Sequence, residues 1–141
     1  MLPAPERLRR SSLFQRTYAG KKSITSSLVT LYVLSRQARS TPRLPLVGFV
    51  AAKKVHNKAT ARNLVKRRVR EAYRLVARRE ASVKQWYAMV WVIHSKALTA
   101  SWQEICRVVA DCTARADLKY GQTEAAKRVE EGSGSTMRDK P

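Results

Sequence analysis

The chain has 141 residues with 29 Lys+Arg against 10 Asp+Glu, a net charge of +19 that points to an anionic partner, nucleic acid foremost. Apolar residues make up 44%, enough for a core, so one folded domain is expected and full disorder is excluded. Met1–Arg10 has no signal-type apolar stretch, no run approaches a membrane span, and Cys106 and Cys112 lack metal-ligand spacing, which leaves a bacterial or organellar interior, the cytoplasm by default.

Residues 1–7 read as a basic lead-in, 8–120 as the domain and 121–141 as a flexible polar tail. Ser11 or Ser12 is the expected cap of a short helix through Ala19, with Phe14 and Tyr18 on one face. Ser27–Leu34 reads as a strand with Val29, Leu31 and Val33 inward, which turns Thr30 and Tyr32 to the other side. Ser35–Pro45 is a loop and Leu46–Ala52 a second strand. After a polar connection, Thr60 is the expected cap of a long helix over Ala61–Arg79. At ~100° per residue Val65, Val69, Ala72 and Val76 share its apolar face, with Ala61 and Leu75 flanking. Asn63, Lys66, Arg67, Arg70, Arg74 and Arg78 fall opposite, Arg62 at the border, and Arg68 toward the apolar side, from which it must snorkel outward. Trp86–Ile93 is a continuous apolar strand, expected at the sheet centre. Ser101 caps a last helix with Trp102, Ile105, Val109, Cys112 and Ala116 on its core stripe, stopped by Gly121. The sum is an α+β domain of three helices and three or four strands.

The charge is sorted along the chain. Residues 1–79 carry 20 basic and 2 acidic side chains, a net +18, and residues 80–141 a net +1. Lys53–Arg79 alone holds eleven Lys/Arg and one Glu. Like charges four apart on a helix repel, so a fold that tolerates them presents them to an anion. Clustered carboxylates for a metal-dependent nuclease are missing, since Glu6 and Glu71 are the only acids of the basic half. His56 has no neighbouring acid to orient it and reads as a phosphate or loop contact; His94 reads as a structural histidine. Tyr32 stands between two readings, core aromatic or a platform on which an unpaired base stacks.

Ala52-Lys-Lys, seven residues, then Arg62-Asn-Leu-Val-Lys-Arg-Arg-Val-Arg-Glu-Ala-Tyr-Arg74 resembles the signature helix of the bacterial ribonuclease P protein component. Phe14-Gln-Arg-Thr-Tyr18 resembles the family's early aromatic pair, Tyr32 its aromatic on the first strand, and Val47-Gly-Phe-Val the strand before the lysines. Leu64 departs from the pattern where an arginine is usual, and His56 where a glycine is. The resemblance implies a two-layer α/β sandwich like a small-subunit ribosomal protein domain, with a left-handed βαβ crossover around the cationic helix. It implies the protein subunit of an RNA-based endoribonuclease that removes the 5′ leader of precursor tRNA. Catalysis would belong to the RNA subunit, which would also hold the Mg²⁺. Arg62, Asn63, Lys66, Arg67, Arg70 and Arg74 would face that RNA. Phe14, Tyr18, Tyr32, Lys53 and Lys54 would hold the single-stranded leader. The partners implied are the ribonuclease P RNA and precursor tRNA, with no membrane and no protein partner required. The alternative is a ribosomal or general RNA-binding protein without processing activity.

Overall fold

The computed structural model describes residues 6–36 and 43–121. The polar tail from Gln122 and parts of the lead-in and of the loop before Leu46 lie outside the described residues. Within them the order is α1 (Ser11–Ala19), β1 (Ser23–Thr25), β2 (Val29–Ser35), β3 (Leu46–Val50), α2 (Ala59–Val76), β4 (Trp86–Ile93) and α3 (Trp102–Ala116). The sheet runs β1-β2-β4-β3. The apolar run Trp86–Ile93 lies inside it, antiparallel to β2 and parallel to β3, as its composition demands. The parallel β3–β4 pair cannot be joined by a hairpin, and α2 makes the crossover.

Strand alternation sorts the core into two parts. On one face Val29, Leu31, Val33, Met89, Trp91 and Ile93 pack with Val65, Val69, Ala72 and Tyr73 of α2 and Ile105, Val109 and Cys112 of α3. On the other, Ala88 and Val90 pack with Leu8 and Leu13, and Phe14, Tyr18, Tyr32, Val50 and Val92 close around them half-buried. Helix α1 thus lies across the face that α2 and α3 leave open. Its course is fixed by Gly48, Val90 and Tyr32, which are neighbours across the sheet. The Phe14 ring sits against Gly48, where a Cβ would come within 2.6 Å of it, and the Tyr18 and Tyr32 rings meet edge to face at 4.9 Å.

Several local expectations are corrected. Strand β1 was not legible: three residues with Ile24 between polar neighbours carry no periodicity, and only pairing with Thr30–Tyr32 makes them a strand. Neither Ser11 nor Ser12 caps α1; Arg10 precedes the helix and gives only its carbonyl, to Leu13 and Phe14. Thr60 does not cap α2 either. The helix starts two residues earlier than expected, at Ala59 after Lys58, because the His56 Nδ1 accepts the Lys58 N–H at 3.0 Å and turns the chain. It ends at Val76, where the Tyr73 carbonyl accepts from both Ala77 and Arg78. Ser101 does cap α3, its Oγ accepting the Glu104 N–H at 3.1 Å. Trp102 is not on the core stripe: at the first helical position it is 38% exposed. Gly121 closes a π-turn after α3 and is required for its size, since a Cβ there would lie 2.1 Å from the Gln85 amide.

The chain enters the fold earlier than residue 8. Leu8 donates to the Val47 carbonyl at 2.9 Å, so the segment lies along the outer edge of β3 and covers it. Glu6, buried, takes the Arg78 guanidinium bidentately at 2.7 and 2.8 Å.

Gly48→Ala is expected to push the Phe14 ring off the sheet and lower stability by about 1–3 kcal/mol. Gly20→Ala, whose nearest neighbours stand at 3.7 Å, is expected to leave it unchanged or raise it slightly. Urea unfolding of the two variants checks the contrast.

Candidate RNA-binding surface

Burying Val65, Val69 and Ala72 dictates where every other side chain of α2 points. Asn63, Arg67 and Arg74 form the outermost strip, all exposed. Arg62, Lys66 and Arg70, four apart, form a half-buried strip beside it. Leu64, Arg68 and Glu71 form a third, on the side of α3.

Each of the sequence-predicted cations has a definite setting. The Arg62 Nη1 donates to the His56 carbonyl at 2.8 Å, which ties the start of α2 to the preceding connection. Arg70 lies over the Phe49 ring, 5.6 Å from its centroid. Burial first, then Arg7 and Arg67, hold the Arg70 guanidinium below its ordinary value, yet it stays charged at any physiological pH. Arg74 pairs with Glu71 on the surface, a contact that solvent screens and that yields readily to a better anion. Arg78 belongs to Glu6 and is a strap between the N-terminal segment and the end of α2. The buried Tyr73 hydroxyl has no hydrogen-bond partner among the described residues; burial, then Glu6, pushes it above the usual phenol range. Arg68 does snorkel, its Nη2 reaching the Ala100 carbonyl at 3.0 Å.

The predicted leader residues divide. Phe14, Tyr18 and Tyr32 come together in one half-buried cluster. Tyr32 faces away from Val29, Leu31 and Val33, as alternation predicts, and packs half-buried beside Tyr18 in the second cluster. Burial, then Tyr32, raises the Tyr18 phenol, which is therefore a neutral donor at physiological pH. Lys53 and Lys54 are exposed in the turn beyond the end of β3. Arg70 and Phe14 line one cavity of about 220 Å³ with Arg7, Gly48 and Phe49, so the helix and the aromatics meet at the β3 edge.

Sequence reasoning missed a second cationic cavity of about 410 Å³, lined by Arg7, Arg9, Arg10 and Arg16 together with Tyr87. The signal lies in the arginines of residues 7–16, which sequence alone divides between the end of the lead-in and the first helix. The histidines are structural. His56 serves the turn as above, and the His94 Nε2 shares a 2.8 Å hydrogen bond with the Thr30 Oγ1. Cys106 and Cys112 are free, and burial pushes both thiols up, away from nucleophilic use. Among the described residues no three His, Cys, Asp or Glu side chains gather to hold a metal ion, and Glu6 and Glu71 are taken up by arginines. These donors do not fit a magnesium centre. No helix among the described residues is long and apolar enough to cross a membrane.

Fold and surface define a basic α+β domain of the polyanion-binding class. The family model for ribonuclease P matches residues 2–117. The chain is 37% identical over 112 residues to the ribonuclease P protein component of Symbiobacterium thermophilum, spanning 79% of this chain and 91% of that one. It is 35% identical over 114 residues to the same component of Clostridium novyi, spanning 80% and 95%. The solved RNase P protein of Staphylococcus aureus superposes with a TM-score of 0.63 at 19% identity, covering 79% of this chain and 94% of that one. That of Thermotoga maritima gives 0.61 at 21% identity, covering 77% and 96%. The chain belongs to the family of bacterial ribonuclease P protein components, and its function is that of the protein subunit of this tRNA-processing ribonucleoprotein.

Glu6→Ala frees Arg78 and detaches the N-terminal strap. A loss of about 1–3 kcal/mol is expected in urea unfolding, the range for a charge-assisted pair that loses one member.

Proposed function

We propose that the chain assists Mg²⁺-dependent removal of the 5′ leader from precursor tRNA by binding two RNAs at once. The catalytic RNA takes Arg62, Asn63, Lys66, Arg67, Arg70 and Arg74. The leader takes Phe14, Tyr18 and Tyr32, with Lys53 and Lys54 at the end of the cleft. The observation that carries this reading is the shared cavity of Phe14 and Arg70, because it joins an aromatic cluster to a cationic helix without a break. Phosphate contacts from the helix fix register and read no sequence. Stacking on the aromatics is equally indifferent to base identity, which suits leaders of varied sequence. The bond to be broken is left to the catalytic RNA, which holds the Mg²⁺; the protein's share is affinity and orientation. In this reading no further protein is required, and the work takes place in the cytoplasm.

Precursor-tRNA cleavage at low Mg²⁺ with the RNA alone, the chain alone and both together tests the proposal. Stimulation confined to the combined reaction is expected; none would favour a ribosomal or general RNA-binding role, and cleavage by the chain alone a protein nuclease. Arg67→Ala is expected to weaken binding to the RNA subunit and lower the slope of log K against log salt by ~1. Tyr18→Ala is expected to weaken precursor tRNA binding to the holoenzyme roughly 5- to 100-fold while mature tRNA changes little. Equal losses on both would remove Tyr18 from the leader path.

A further inference from the structure

Trp102 has no place in either core. Trp86 and Trp91 are 1% and 0% exposed, whereas Trp102 is 38% exposed and opens a cavity of about 400 Å³ with Arg67, Arg68, Arg70 and Glu71. Arg68 holds the Ala100 carbonyl two residues before it, which ties the start of α3 to α2. Leu64, 53% exposed, precedes Arg67 and Arg68 by three and four positions on the same side of the helix. An indole is thus left partly in water in a cavity otherwise lined by three arginines and Glu71.

We propose that Trp102, with Arg67 and Arg68 lining the same cavity, is a stacking site for one unpaired base of the RNA bound by α2. The inference rests on the reading of the preceding subsection and adds a base contact to a surface otherwise made of phosphate contacts. Charge selects the occupant. Glu71 is paired with Arg74, so the rim of the cavity is cationic. A second copy would bring its own +18 half toward it and be repelled. The tail 122–141, with four basic and four acidic residues, has no net charge with which to answer the arginines. A nucleotide answers both features: its base offers a π-face to the indole and its phosphate an anion to the arginines.

Because the other two tryptophans are buried, acrylamide quenching of the intact chain reports on Trp102. With transcribed ribonuclease P RNA at saturation, the Stern–Volmer constant is expected to fall severalfold. Trp102→Leu, which keeps an apolar side chain against α2 but has no ring, is expected to weaken RNA binding roughly 5- to 100-fold with an unchanged salt slope. Trp102→Phe is expected to bind within about twofold of the parent. Undiminished quenching in the saturated complex, or Trp102→Leu binding as tightly as the parent, overturns the stacking site while the phosphate surface stands. Absence of any salt-dependent binding by the parent overturns both.

Discussion

The parallel pairing of β3 with β4 is the constraint on which the rest of the molecule depends. Parallel neighbours demand a crossover, and the crossover must lie against the sheet it bridges. Helix α2 is that crossover, and its burial of Val65, Val69, Ala72 and Tyr73 leaves the arginines no direction but outward. The cationic surface is therefore a by-product of core packing. Its geometry is held by apolar contacts that salt does not weaken, even though the charges it carries are themselves screened.

That arrangement works against the helix it uses. Eleven cations between Lys53 and Arg79 repel one another, and Glu71 is the one acid on α2 to offset them. The structure relieves the strain locally. Arg62 is spent on the His56 carbonyl, Arg68 on Ala100, Arg78 on Glu6 and Arg70 on the Phe49 ring. Asn63, Arg67 and Arg74 remain outermost. A residue pattern that looks like one uniform charged face thus differs from residue to residue in what holds each cation: Arg62, Arg68, Arg70, Arg74 and Arg78 each have a contact within the protein, and Arg67 is exposed.

What was legible in the sequence also differs from element to element. Long periodic segments were readable because burial imposes their period: Trp86–Ile93 is a strand with the limits its composition marks, and the apolar face of α2 falls where the 3.6-residue repeat puts it. Elements that exist only through pairing were not, β1 being the example. Caps were half legible. Ser101 acts as its position suggests, but Thr60 is displaced because the His56 ring, a residue with no capping signature, turns the chain first. For the site, the aromatic cluster and the helix face were readable from spacing, whereas the setting of each arginine depended on contacts from residues distant in sequence. Trp102 fits the apolar stripe in projection, yet a helix's first residue projects past the sheet rather than onto it.

The same reasoning shows why the aromatic cluster and the cationic strip keep a fixed relation to each other. Gly48 and Phe49 are consecutive on β3, and alternation turns them to opposite faces of the sheet. Gly48 receives the Phe14 ring, which sets α1 and its aromatics on one side; Phe49 lies under Arg70, which sets the cationic strip on the other. At the β3 edge, where the Arg7–Leu8 segment lies, Arg70 and Phe14 line one cavity with it. The angle between aromatics and cations is therefore set by one peptide unit of a strand, among the least deformable connections a fold can provide. On the proposed reading, a subunit that holds two strands in register needs that rigidity more than a reactive group, and the only acids of its basic half, Glu6 and Glu71, are spent on arginines.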